Sequence, residues 1–326
     1  MRLDRSVPSL VLSLVVASAL GAACSNTGGG PFDDVIAFGD SLTDVGNVAG
    51  ITTPGNAPVI DGYYEETHFS DEILWIERLA DDWGLPDRTP GRGSSTSLPA
   101  EPDGNTWAWG GSEAGSGTVQ PPGVTEPIPN LLAEVREYLT YHEPNPDALY
   151  AIWSGANNLL IGGKFGPVAA AEAVASVKTS LRVLEDAGAE SFLVFNMPKM
   201  GDTPAARSSG IVSEALANEY ADAYNAALDV ALAELRLDPS FDAAIGFVDV
   251  YAELELVVDT VQAGATYEPD FFVPGPPVVI ANVTDEALGV FQDTGTYPTD
   301  YLFWDDVHPT TQGHQVLAGL VLQAMD

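Results

Sequence analysis

Along most of this chain, apolar and polar positions come in two kinds of block. Short continuous apolar runs alternate with longer stretches of helical period. VIAF at 35–38 is a short apolar run that ends at Gly39, as expected of a strand buried on both faces. DEILWIERLADDWG at 71–84 places apolar residues at 73, 74, 76, 79 and 80, followed by Gly84 and Pro86, which predicts an amphipathic helix with a stop signal. Residues 86–104 are rich in Pro, Gly, Ser and Thr and read as a loop. NTWAWGG at 105–111, DALYAIWSG at 147–155, SFLVFNMP at 191–198 and AAIGFVDV at 243–250 complete a set of five predicted strands. Helices are predicted at 129–142, at 167–188 with Gly188 as terminator, at 213–236 and at 310–325.

Strand and helix alternate, and the strands are nearly continuous apolar runs. That pattern predicts a central, mostly parallel five-stranded sheet with helices on both faces, a three-layer α/β/α sandwich. In such sheets, sites form beyond the carboxyl ends of the strands. Three segments fall there: Gly39-Asp40-Ser41, Gly110-Gly111 and Gly155-Ala156-Asn157. FFVPGPPVVI at 271–280 is an apolar loop with three prolines; it reads either as a lip for an acyl chain or as a connection packed on the core.

Composition changes this picture at one end and over the surface. Residues 1–30 are of a different kind: MRLDR, then the apolar, small-residue stretch SVPSLVLSLVVASALGAA, then Cys24 and SNTGGG. They read as a signal peptide with a Gly-rich tether, leaving 31–326 as the folded domain and implying export. Cys24 is the only cysteine, so no disulfide forms within the chain. Its position, after Leu20-Gly21-Ala22-Ala23, resembles a lipobox in which Cys24 is the lipid attachment site of a bacterial lipoprotein, although Gly21 departs from the usual pattern. The other reading is ordinary signal cleavage near Ala23. With 12 Lys+Arg against 47 Asp+Glu, the net charge of -35 argues against a nucleic-acid partner. It also disfavours anionic membrane surfaces, so membrane association is expected only through an N-terminal lipid anchor. The excess of acid fits a salty medium that screens self-repulsion, and equally a soluble, exported acidic protein with no need of salt.

The candidate chemistry lies near the two ends of the domain. FGDSLTDVGN at 38–47 supplies Ser41 after the first predicted strand, where it is expected to begin a helix. WDDVHPT at 304–310 supplies Asp305 and His308, three residues apart, with Pro309 expected at the first position of the closing helix. A serine, a histidine and an aspartate are the parts that turn an alcohol into a nucleophile at neutral pH. Asp305 can fold back to Nδ1–H of His308 and leave Nε2 free as a base. Taken singly, Ser41 also reads as a helix cap and Asp305 as a turn cap. The other histidines are His68 in a loop, His142 at a polar helix end and His314 in the last helix. His308 and His314 lack the spacing of a metal pair, and no metal or organic cofactor is expected. Gly110-Gly111 can bring a bare N–H close to a substrate, and Asn157 offers a side-chain donor. Ser112 stands in a near match to a G-x-S-x-G elbow, but Gly115, Ser116 and Gly117 follow where a helix is needed.

These blocks resemble the GDSL, or SGNH, hydrolase family, in its secreted bacterial lipase, phospholipase and haemolysin-like branch. FGDSLTDVGN is similar to the first family block, NTWAWGGSEAG to the second, SGANNLL to the third and FWDDVHPTTQGH to the last. The resemblance runs from about residue 33 to the end. It implies a flavodoxin-like sheet, Ser41 as nucleophile, His308 as base and Asp305 as its orienter. It also implies an oxyanion hole from the Ser41 and Gly111 backbone N–H groups and the Asn157 side chain. The third block departs from the family pattern, carrying Asn158 where an aspartate is usual. The expected activity is esterase or lipase chemistry on a small ester or lipid. An acyltransferase using the same residues, or a silent cell-surface binding lipoprotein, remains open.

Overall fold

The structure is a computed structural model that describes residues 29–51, 68–91, 102–124, 126–208, 212–283 and 300–325. Cys24 and the expected signal segment lie outside the described residues. In chain order the elements are β1 (Val35–Gly39), α1 (Asn47–Ile51), α2 (Trp75–Trp83), β2 (Thr118–Val119), β3 (Ile128–Pro129), α3 (Leu131–Tyr141), β4 (Leu149–Trp153), α4 (Ala156–Leu160), α5 (Gly166–Asp186), β5 (Ser191–Phe195), α6 (Pro204–Arg207), α7 (Glu214–Leu237), β6 (Ala244–Val248), α8 (Val250–Gln262) and α9 (Thr311–Met325). Among the described residues no helix is long and apolar enough to cross a membrane.

β1, β4, β5 and β6 form a parallel sheet in that order, while β2 and β3 make a small antiparallel pair. The predicted strand at 105–111 is only partly regular. It runs parallel to β1 through Ala37 N–H to Asn105 O, Trp107 N–H to Ala37 O and Trp109 N–H to Gly39 O, but forms a single bridge pair, Ala37 with Thr106. Its other edge meets residues 89–91, where Thr106 N–H donates to Thr89 O and Gly91 N–H donates to Thr106 O. With this segment as the fifth position, the order is the doubly wound one, and the reversal falls between β1 and β4.

The strands alternate their side chains between two cores, which is what makes three layers. Ile36, Phe38, Tyr150, Ile152, Phe192 and Val194 face the core shared with α3, α5 and α7. Val35, Ala37, Leu149, Ala151, Leu193 and Phe195 face the core shared with α2 and α9.

Three local expectations change, and one open pair of readings closes. Ser41 lies in a turn, and the first helix starts only at Asn47. Pro309 pairs with Phe303 in an antiparallel bridge, and α9 begins at Thr311. Residues 271–280 follow the second of their two readings, a connection packed on the core: Val278 and Ile280 are buried with Val257, Val258 and Tyr267, and the segment does not line the cavity described below. His142 is half-buried rather than a surface residue, stacked on Tyr138 with ring centroids 4.9 Å apart.

Candidate active site

The first component is the turn after β1. Gly39 has φ +143°, and a Cβ there would come within 1.9 Å of the Trp153 carbonyl oxygen, so only glycine lets β1 pass this close to β4. The chain then reverses, with Thr43 and Asp44 N–H donating to Asp40 O at 3.0 and 3.1 Å. This leaves Ser41 at the end of the strand, lining a cavity.

Asp44 ties that turn to the second motif. Its Oδ1 accepts the Gly46 and Asn47 N–H groups at 2.8 and 2.6 Å, and its Oδ2 accepts the Val48 and Gly110 N–H groups at 3.1 and 2.8 Å. Asn47 Nδ2 donates to Thr106 O and Ala108 O, each at 2.8 Å. The polar residues of LTDVGN thus stitch the first block to the second. Sequence reasoning gave Asp44 and Asn47 no role; their signal was two polar residues at the edge of an otherwise apolar motif.

The second component is the loop before α9. Trp304 N–H donates to His308 O at 2.8 Å and Thr310 N–H donates to Leu302 O at 2.9 Å, which folds 305–307 into a tip. Asp305 Oδ1 accepts the Val307 and His308 N–H groups at 2.8 and 2.7 Å. Asp305 Oδ2 lies 2.7 Å from His308 Nδ1, and His308 Nε2 lies 2.8 Å from Ser41 Oγ. A carboxylate facing Nδ1 requires the proton there, so Nε2 presents its lone pair to the serine hydroxyl. The Phe69 ring packs on His308, centroids 5.2 Å apart.

The electrostatics agree with that assignment. Burial alone would push Asp305 up, but the His308 charge, its ring hydrogen bond and the two backbone N–H groups bring it down to about 2. Burial would push His308 down, yet Asp305 and Asp40 outweigh it and raise the imidazole above its ordinary 6.5. Asp40 goes the other way: burial raises it to about 6 against the Leu42 N–H and His308.

The third component is a set of donors around Ser41. Gly110 N–H is taken by Asp44, and Ser112 N–H donates to Trp109 O. The Gly111 and Ser41 N–H groups have no acceptor among the described residues. Gly111 has φ +90°, and a Cβ would meet Pro121 Cγ at 2.5 Å. Asn157, in the first turn of α4, donates one Nδ2 hydrogen to Ser112 O at 3.0 Å and keeps a second. Ser41, Gly111 and Asn157 all line the same cavity. Asn158 sits beside them with a different task. Its Oδ1 accepts Ala114 N–H at 2.8 Å and its Nδ2 donates to Ala114 O at 3.1 Å, a two-way clamp that a carboxylate cannot make.

The other candidates fall away from this point. His68 contacts Glu77 and Glu72 O. His314 is fully buried, accepts Trp75 N–H at 3.4 Å and is held neutral, its affinity for a proton lowered to about 3 by burial and by the His308, His68 and Arg78 charges. The Ser112 hydroxyl is buried and makes no hydrogen bond to a histidine. Among the described residues, no three His, Cys, Asp or Glu side chains are grouped to hold a metal ion.

The cavity has a volume of about 400 Å³ and crosses the carboxyl ends of the strands. It runs from Ser41 and Gly111 past Trp153 and Met200 to Val250 and Leu254 on α8, with Leu317 of α9 along one side. Its walls are mainly apolar, and α8 was not anticipated from the sequence.

A doubly wound α/β sandwich with a serine, a histidine and an aspartate bonded in series at its strand ends is the arrangement of an acyl hydrolase or acyltransferase. The chain belongs to the GDSL-like Lipase/Acylhydrolase family, whose model matches residues 35–321. It is similar to the phosphatidylcholine-sterol acyltransferase of Aeromonas hydrophila, 26% identical over 314 residues covering 88% of each chain. It is also similar to the thermolabile hemolysin of Vibrio parahaemolyticus, 22% identical over 296 residues covering 89% of this chain and 63% of that one. A protein from the trpE-trpG intergenic region of Pseudomonas putida is 29% identical, and the chain spans about half, 52%, of its length. Among solved structures, the native M. smegmatis aryl esterase aligns with a TM-score of 0.45 at 13% identity, covering 90% of this chain and 97% of that one.

Proposed function

We propose that this protein is an exported serine esterase or lipase that hydrolyses carboxylic esters through an acyl-Ser41 intermediate. The observation that carries the reading is the unbroken series Asp305 Oδ2, His308 Nδ1, His308 Nε2, Ser41 Oγ, with contacts of 2.7 and 2.8 Å. Ser41 Oγ attacks the ester carbonyl carbon as its proton passes to His308 Nε2. The negative charge then on the carbonyl oxygen is met by the Ser41 and Gly111 N–H groups and the spare Asn157 Nδ2 hydrogen. The C–O bond to the alcohol breaks, and the alcohol leaves with the proton from Nε2. Water repeats the sequence on the acyl-serine: Nε2 takes its proton, the hydroxyl adds, and the acid leaves as Ser41 regains its hydrogen.

The apolar cavity supports a substrate whose acyl part is hydrocarbon, since each buried methylene contributes about 0.8 kcal/mol. The same cavity favours a second reading, acyl transfer to an alcohol, because apolar walls that limit water let another hydroxyl compete for the acyl-serine. Export, with Cys24 as lipid attachment site, rests on the N-terminal segment. A panel of p-nitrophenyl esters of increasing chain length, run with and without an added alcohol, tests the function. The expected result is turnover that improves with chain length and disappears in Ser41→Ala. Full activity in Ser41→Ala overturns it.

A further inference from the structure

Behind the nucleophile turn lies a polar cluster that the reaction above does not use. Glu134, in the first turn of α3, is fully buried. Its Oε2 accepts the N–H of Gly39 at 2.9 Å, two residues before Ser41. The Ser112 hydroxyl lies near enough to the same carboxyl to act on its protonation. Both Oε1 and Ser112 Oγ are shielded from solvent, and neither has a hydrogen-bond partner. Ser112 in turn holds Asn157, through its carbonyl oxygen and the Asn157 Nδ2–H at 3.0 Å. One side chain therefore holds the end of β1 and sits beside the loop that carries Gly111 and steadies Asn157.

We propose that Glu134 is a positioning residue of the acyl-transfer site, a neutral carboxylic acid that fixes the spacing between the nucleophile turn and the oxyanion donors. The proposal rests on the ester-hydrolase reading above. Its physical basis is the company the group keeps. An ionised carboxylate here would have the Gly39 N–H, a nearby hydroxyl and no cation among the described residues, an expensive state in a core. Burial raises its proton affinity well above the ordinary 4.5; the Gly39 N–H and the nearby Ser112 hydroxyl oppose this, and the charges of Asp40 and Asp44 add to it. Those two carboxylates, from the turn after β1, are the charged groups that act on it. In the neutral form Oε1–H donates to Ser112 Oγ, Oε2 keeps Gly39, and both orphaned atoms find a partner. Neutrality also serves the reaction. An anion behind the oxyanion hole would oppose the negative charge that develops there.

Two variants separate a neutral tie from a filler of space. Glu134→Gln keeps both bonds, its carbonyl accepting from Gly39 and its NH₂ donating to Ser112. Glu134→Met keeps roughly the volume and removes both bonds. On a p-nitrophenyl ester, Glu134→Gln is expected to keep wild-type kcat. Glu134→Met is expected to lose about 10²-fold in kcat with KM little changed, as for a displaced catalytic group. Thermal melts read the protonation without any turnover. A group that stays neutral in the fold but ionises in the unfolded chain weakens the wild type as pH rises above the ordinary 4.5. The melting-temperature advantage of Glu134→Gln over wild type is therefore expected to widen from about pH 5 to about pH 8. An advantage that narrows over that range overturns the proposal. So does wild-type kcat in Glu134→Met, or a loss in Glu134→Gln as large as that in Glu134→Met. A wild-type protein inactive on every ester would instead fail the functional reading, and the melts would still decide whether Glu134 is neutral.

Discussion

Asn157 carries two amide hydrogens, and the resting site uses one of them, on Ser112 O. The other is spare until an oxyanion forms, so it favours the transition state over the bound substrate. Asn157→Ala is expected to lower kcat by roughly 10²–10³ with KM little changed, the usual loss for one such donor. Steady-state kinetics on a single ester checks this, and an unchanged kcat removes Asn157 from the site. His308 makes a prediction about pH. Only neutral imidazole accepts the serine proton, so kcat/KM rises with pH through one ionisation. Asp305 and Asp40 hold His308 above 6.5, so the midpoint lies above that value. Asp305→Asn removes the stronger of those two influences, and the midpoint should move down while the plateau falls; a midpoint that stays fixed or rises contradicts the pairing. Ser41, Asp305 and His308 were legible in the sequence because each sits in a short motif whose local spacing carries the chemistry. Glu134 was not. Within LLAEVREY it looks like a solvated helix position, and its partner Gly39 is 95 residues away.

The elements show why some of the fold was readable and some was not. The long helices and buried strands were legible because their apolar period survives packing. α8 escaped because Asp249 lies between Val248 and Val250, so the apolar run reads through it. In the structure Asp249 ends β6 and caps α8, accepting Ala252 N–H at 3.1 Å. The segment 105–109 had the composition of a strand but is caught between β1 and residues 89–91, and a sequence does not show that its pairing is confined to isolated bridges at Thr106, one with Ala37 and one with Pro90. The α2–α9 contact yields a prediction. His314 is buried there against the Trp75 backbone and plays no part in the proposed chemistry. His314→Ala should keep most turnover yet lower the melting temperature, because it leaves a cavity and an orphaned N–H. Loss of activity with an unchanged melting temperature would place His314 in the reaction.

At the scale of the molecule, charge dominates. Among the described residues, Arg88, Lys164, Lys178, Arg182, Lys199 and Arg207 are already paired with carboxylates. With 47 acidic residues against 12 basic ones, acid far outnumbers the available counter-charge, and a net charge of -35 pushes the folded chain apart. Molar salt shortens the screening length to about 3 Å. The melting temperature is expected to rise from low to molar sodium chloride, and a flat or falling curve would remove the salt-adapted reading. The acid excess was legible in composition. The cavity was not, because its walls come from strand ends, α8 and α9, segments that the sequence does not place side by side.

The central claim is that the acyl group of an ester passes through Ser41. The most direct measurement is to quench the protein in acid during turnover of a p-nitrophenyl ester and map the modified peptide by mass spectrometry. One acyl group on the peptide containing Ser41 is the predicted result, absent in Ser41→Ala and no longer formed in His308→Ala. Turnover with the acyl group on Ser112, or turnover that persists in Ser41→Ala with no acylated serine, would contradict the account.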